Sequence, residues 1–141
     1  MTSMLLDSNI IIYAINTSSP KHAQAKQFIR DNRAKLVLAH QNTLESLRIL
    51  THTAYPSPLS IADALKAVTS IADALFVVSP TIDTSYITLE LIKKYHLSSN
   101  RIFDAYIVGT MLSNSIPSIA TDNSKDFTPF QEITVVNPFN Q

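Results

Sequence analysis

Cysteine is absent from the 141 residues, which excludes disulfides, thiolate zinc sites and a cysteine nucleophile. A reducing compartment is compatible with that absence. Glycine occurs once, at Gly109, so the chain holds no glycine-rich loop of the P-loop or dinucleotide-binding kind. Its connections must be built from Ser, Asn and Pro instead. Neither sign of charge prevails: 11 Lys and Arg are balanced by 11 Asp and Glu. Bulk charge therefore does not mark a nucleic-acid binder, and any hold on phosphate must come from local basic groups or metal ions. No apolar run approaches the length needed to span a bilayer. The N-terminus lacks the basic segment and apolar core of a signal peptide, since Asp7 interrupts it early. The expectation is a cytoplasmic protein with no membrane partner. The histidines, His22, His40, His52 and His96, show no i, i+4 pairing on one helix, which argues against zinc.

What the chain does have is apolar content, 45% of its residues, enough for a buried core. Its length fits one domain over residues 1–141, and no linker or compositional shift divides it. Short apolar runs alternate with helical patterns. Strands are expected up to Asp7 and over 36–39, 76–78, 117–121 and 133–136. Helices are expected over 10–15, 20–32 with Ser19 as N-cap and Pro20 first, 41–53, 60–75 with Ser60 as N-cap, 82–96 and 101–114. Residues 122–130 read as a polar loop with one helical turn, and 138–141 as a tail. Ile61-Ala62-Asp63-Ala64-Leu65 recurs as Ile71-Ala72-Asp73-Ala74-Leu75, but one recurrence does not make a solenoid. The alternation predicts an α/β fold: a three-layer sandwich whose mostly parallel central sheet of about five short strands carries helices on both faces.

Four acids fall in similar settings. Asp7 ends the first strand, where it either caps the following helix or faces the functional crevice beyond the strand ends. Glu45 lies early in the helix after the second strand. Asp104 lies near the start of an apolar helix, between Ile102-Phe103 and Ala105-Tyr106-Ile107-Val108, where an unpaired charge is hard to hide. Asp122 follows the fourth strand, with Asp126 four residues on; both are also ordinary turn acids. In a parallel sheet Asp7, Asp122 and the start of Glu45's helix share one edge, and Asp104 joins them if its helix begins there. Carboxylates gathered there repel and need protons or a divalent cation. Hard oxygen ligands suit Mg²⁺ or Mn²⁺, and such an ion activates water and neutralises a leaving oxygen in phosphate-ester chemistry. Ser8 and Asn9 either hydrogen-bond a metal water or phosphate, or simply start a helix. Thr121 either orients Asp122 or only ends its strand. Lys125, Arg48 and Arg101 lie near the acids and either bind backbone phosphates or are solvated surface charge. His40 either touches substrate or is a polar loop residue.

Four segments resemble the PIN domain family, and within it the VapC-type toxins of toxin–antitoxin pairs. Leu5-Leu6-Asp7-Ser8-Asn9-Ile10-Ile11-Ile12-Tyr13 resembles the family's opening, an apolar strand followed by Asp-Ser/Thr-Asn. Gln41-Asn42-Thr43-Leu44-Glu45 resembles its second acidic motif, and Arg101-Ile102-Phe103-Asp104-Ala105-Tyr106-Ile107 its third. Ile119-Ala120-Thr121-Asp122-Asn123-Ser124-Lys125-Asp126-Phe127 resembles the fourth. The resemblance implies an Mg²⁺- or Mn²⁺-dependent endoribonuclease in which Asp7, Glu45 and Asp104 are catalytic metal ligands. The family's last acid falls on Asp122, on Asn123 in amide form, or on Asp126, with Asp122 preferred. Ser8, Asn9, Thr121, Asn123, Lys125 and Arg101 are the candidate substrate-binding residues. The resemblance further implies an RNA substrate, a homodimer and a VapB-type antitoxin laid across the acids. Against HAD-type phosphatases, no Asp-x-Asp follows the first strand, because Asn9 stands at the second position.

Overall fold

β1 (Met4–Leu6) is the middle strand of the sheet, and the other elements are stacked around it. The computed structural model describes residues 2–140. Met1 and Gln141, the outermost residues of the expected domain and tail, lie outside the described residues. The order is β1, α1 (Ser8–Ile15), α2 (His22–Asn32), β2 (Leu36–Ala39), α3 (His40–Leu50), α4 (Ile61–Ala74), β3 (Phe76–Val78), α5 (Thr84–Tyr95), α6 (Arg101–Ser113), β4 (Ser118–Ala120), α7 (Ser124–Phe127) and β5 (Thr134–Val136). The strands form one five-stranded sheet in the order β3-β2-β1-β4-β5, parallel throughout. Met4 stands opposite both Leu36 and Ser118. The chain works outward from β1 to β3, then returns to β4 on the other side of β1. That reversal puts a topological switch point between β1 and β4, where open α/β sheets carry their crevice.

The inner strands β1 and β2 read as unbroken apolar runs because both faces of the sheet are covered there, whereas Phe76 and Val77 of the edge strand β3 are exposed. Leu5, Val37 and Ile119 point to one side, where they pack with Leu91 of α5, Ala105, Val108 and Met111 of α6, and Phe127. Met4, Leu6, Leu36, Leu38 and Ala120 point to the other, against Ile10 and Ile11 of α1, Ala25 of α2 and Ile71 of α4. A smaller cluster of Ile12, Leu50, Ala64 and Val68 ties α1, α3 and α4 together. This is the expected three-layer α/β arrangement, and each expected strand is present.

Four helix starts differ: α3 begins one residue early, at His40, α5 two residues late, at Thr84, and α1 and α2 differ with a local cause. Ser19 does not cap α2. Its hydroxyl accepts from the Lys21 N–H at 3.1 Å and its carbonyl from the His22 N–H at 3.1 Å, so Ser19 and Pro20 form a turn and the helix begins at His22. A serine hydroxyl that bonds its own backbone two residues on makes such a turn rather than a cap. α1 begins at Ser8, earlier than expected, with Asp7 as its N-cap and the one residue between strand and helix.

Gly109 matters because α5 and α6 approach closely at it. A Cβ built there would stand 2.2 Å from the Thr88 hydroxyl oxygen and 3.3 Å from the Thr84 carbonyl. The hydroxyl cannot easily swing away, since it donates to that carbonyl at 2.7 Å. Gly109→Ala is therefore expected to cost about 1–3 kcal/mol in urea unfolding, the usual range for overpacking, although alanine is the better helix former. Adding Thr88→Ala should recover part of the loss. A Gly109→Ala protein as stable as its parent would show that the helices separate freely here.

Candidate active site

The edge of the sheet beyond the strand ends is built around Asp7, which is buried at 5% exposure. A carboxylate so enclosed needs donors, and different elements supply them. Its Oδ1 accepts from the Ser8 N–H at 2.8 Å and from Asn42 Nδ2 at 3.4 Å. Its Oδ2 accepts from the Thr121 hydroxyl at 2.8 Å and from Asn9 Nδ2 at 3.4 Å. Asn9 also ties the end of β4 to the start of α1: its Oδ1 accepts from the Asp122 N–H at 3.1 Å. Thr121 Oγ1 in turn accepts from the Asn123 N–H at 3.0 Å. The Asp7 carboxylate is thus a helix cap and a fixed member of the site at once.

Glu45 on the second turn of α3, Asp104 on the first turn of α6 and Asp126 on α7 line one cleft of about 1070 Å³. Arg48, Arg101, His40, Leu44 and Phe103 share its walls. Gln41 Nε2 reaches the Phe103 carbonyl at 3.4 Å, bridging α3 and α6. Asp7 lies within electrostatic reach of the other three. Burial pushes its carboxyl up, the Thr121 and Ser8 hydrogen bonds pull it down, and Asp126 raises it further. Burial also raises Glu45, with Asp7 adding to the rise and Arg48 opposing it. Asp104 is pushed up to about 6, by burial first and then by Asp126 and Asp7, despite the opposing Arg101.

Asp122 takes another path. Its Oδ2 accepts from the Tyr13 hydroxyl at 2.7 Å and pairs with the Lys21 ammonium, while Asn137 Nδ2 stands 3.4 Å from its Oδ1. Burial raises its pKa, but Lys21, Tyr13 and Asn137 outweigh that and hold it below the usual carboxylate range. The Lys21 ammonium lies 5.3 Å from the centroid of Tyr13 and 5.2 Å from that of Phe139, so this cluster fastens the last strand's exit to α1. The side chains that act most on the Asp122 carboxyl are Lys21, Tyr13 and Asn137. The structure therefore brings Glu45, Asp104 and Asp126 to one cleft, with Asp7 within electrostatic reach of all three, and points Asp122 at Lys21.

Among the substrate-binding candidates, Ser8, Asn9 and Thr121 spend their polar atoms orienting Asp7 and the β4 exit. Asn123 and Lys125 are exposed on α7 and its approach, and Arg101 faces the cleft. Two residues escaped the sequence reading. Asn42 is fully buried, its Oδ1 accepting from the Ala39 N–H at 3.2 Å while its amide reaches Asp7. An Asn in the first turn of a helix that directly follows a strand was the available signal. Tyr13 gave none, because at its position it reads as one more apolar helix residue.

The donors at this cleft are carboxylate oxygens, the hard set that suits Mg²⁺ or Mn²⁺. Among the described residues, no three His, Cys, Asp or Glu side chains are gathered tightly enough to form a finished cage. Mg²⁺ asks for less than a cage, since one or two carboxylates and several waters hold it. Burial first, and then Asp126 and Asp7, raise Asp104; the hard carboxylate oxygens of Glu45, Asp104 and Asp126 lining one cleft are the donor chemistry that fits such an ion.

The PIN domain family model matches residues 4–131. No curated protein sequence matches the chain. Among solved structures, a toxin–antitoxin complex from Klebsiella pneumoniae is similar with a TM-score of 0.70 at 19% identity, covering 99% of this chain and 100% of that one. VapBC2 from Rickettsia felis, bound to a DNA fragment of its promoter, gives 0.74 at 13% identity over 96% and 98% of the two chains. VapC20 of Mycobacterium tuberculosis, a sarcin-ricin loop cleaving toxin, gives 0.64 at 15% identity over 83% and 87%.

The raised Asp104 carboxyl makes a signed prediction. Its folded pKa of about 6 lies above the unfolded value near 3.8, so the neutral acid favours the fold. That stability is complete below about pH 4 and is lost as pH rises through about 6. In EDTA, the melting temperature of the parent minus that of Asp104→Asn should fall between pH 4 and pH 7. The depressed Asp122 acts with the opposite sign and in a lower window. A difference flat with pH would mean that Asp104 is not under strain.

Proposed function

The chain belongs to the PIN domain family, and on that footing we propose that it is an Mg²⁺- or Mn²⁺-dependent endoribonuclease, the toxin of a VapBC-type pair, folded as one domain over 1–141. One observation carries the reading: Glu45, Asp104 and Asp126 line a single cleft, and the buried, fully donated Asp7 lies within electrostatic reach of all three. Asp7, Glu45 and Asp104 hold the ion, and Asp126 is the fourth acid in place of Asp122. Bound there, the ion supplies a more acidic water and positive charge for the leaving oxygen. Asn42, Thr121 and the Ser8 N–H keep Asp7 aimed. Arg48, His40 and Arg101 on the cleft walls meet phosphate oxygens of the strand.

RNA as the substrate is supported by the similar VapC20 being a sarcin-ricin loop cleaving toxin. An antitoxin partner is supported by the toxin–antitoxin and VapBC complexes among the similar structures. Leu44 and Phe103, 65% and 62% exposed beside the acids, offer such a partner apolar footholds. A homodimer is supported by exposed Tyr86 and Leu89, which lie three apart and so share a face of α5. No helix among the described residues is long and apolar enough to cross a membrane. The second reading is a binding module without activity, and the absence of a finished ligand cage among the described residues favours it.

Two measurements separate these readings. Purified protein given Mn²⁺ should cut a structured RNA and spare single-stranded DNA. Asp7→Asn and Asp104→Asn should each lower the rate on the order of a thousandfold, several kcal/mol of lost charge stabilisation, with the fold intact because Asn also caps helices. Asp126→Asn should reduce cleavage more than Asp122→Asn, whose cost falls on stability. Undiminished cleavage in Asp7→Asn, or no heat of Mn²⁺ binding, would sink the nuclease reading.

A further inference from the structure

Arg101 is placed against the grain of its helix. It is the first residue of α6, and a cation at a helix N-terminus meets the positive end of the dipole. Something must compensate, and the contacts name it. One guanidinium nitrogen, Nη1, donates to Asp104 Oδ2 at 2.8 Å and to the Asp126 carbonyl at 2.7 Å, and lies 3.6 Å from Asp126 Oδ1. The guanidinium carbon stands 5.7 Å from the centroid of the Phe130 ring, which is buried. Among the described residues, Arg101 is the one cation paired with any of Asp7, Glu45, Asp104 and Asp126.

We propose that Arg101 is the built-in counter-ion of the acid cleft, standing on Asp104 and Asp126 where a divalent cation has its claim, so that metal loading and the Arg101–Asp104 pair exclude each other. The proposal rests on the metal-dependent reading above and adds a competitor to it. Arginine cannot yield by losing its proton, so it yields by moving. Its tethers to the Asp126 carbonyl and the Phe130 ring do not involve Asp104 and survive the exchange. The guanidinium therefore stays at the cleft, freed from one carboxylate and able to meet a phosphate in a bidentate contact. A lysine at this position would offer a single nitrogen, without the planar fork that meets a phosphate in two parallel bonds.

The exchange is read by calorimetry and melting, without turnover. Arg101→Met should bind Mn²⁺ about fivefold tighter than the parent, the loss of one partly exposed competing ion pair. In EDTA it should melt lower than the parent, and Asp104→Asn placed in the same chain should restore most of that loss, a double-mutant coupling. Arg101→Lys should bind Mn²⁺ more tightly than the parent by a smaller factor, and carries the same test should Arg101→Met not fold. If the parent binds Mn²⁺ and neither variant binds it tighter, the metal reading stands and the exchange is wrong. If neither parent nor variants bind Mn²⁺, both fall. Additive melting losses in the cycle would also overturn the counter-ion role.

Discussion

A carboxylate buried at the exit of the central strand is the constraint from which the rest of the site follows. Asp7 is 5% exposed in a layer of leucine, isoleucine and alanine, and an unpaired charge there costs several kcal/mol. No single element can satisfy it. The start of α1 gives the Ser8 N–H and Asn9, α3 gives Asn42, and the end of β4 gives Thr121. Each donor is in place only if β1 lies between β2 and β4 with the observed parallel register. The carboxylate therefore does two jobs: it holds the fold's edge together and acts electrostatically on Glu45 and Asp104 at the cleft.

That double role explains why reading Asp7 either as a helix cap or as a site residue posed a false choice. The strand-to-helix passage has one residue in it, so whatever caps α1 also stands at the strand's carboxyl end, and an aspartate there is both. The sheet was legible because strands covered on two faces have no polar alternation to confuse, as in Leu36-Val37-Leu38-Ala39. The helices were legible in number but less so at their starts, where Ser19 chose a turn over a cap.

The fourth acid was not legible, and the reason is physical. Asp122 and Asp126 sit four residues apart in one polar loop, and local sequence treats them alike. What separates them is the placement of Tyr13 and Lys21, which meet Asp122 across 109 and 101 residues of chain. Those partners depress Asp122 and occupy it, while Asp126, on the short helix α7, is left facing Asp104 and Arg101. A contact made across the sheet decides a question that neighbours in sequence leave open. Asn42 was hidden for the same reason, since its value lies in reaching Asp7 rather than in its own surroundings.

The neutral net charge also takes on meaning at this level. Lys21 stands on Asp122 and Lys94 on Glu132, one cation to one acid, whereas at the cleft Arg101 stands against both Asp104 and Asp126. Asp104 makes the comparison direct. It has a guanidinium at 2.8 Å, and that pair by itself would hold its carboxyl low. It is nonetheless pushed up to about 6, so burial together with Asp126 and Asp7 outweighs one arginine. A single positive charge at one side of the cluster cannot answer acids held in place by separate elements. A charge of two, small enough to be approached by several oxygens at once, can. On the proposed reading, a divalent ion is what would answer the charge that Arg101 and Arg48 leave uncompensated.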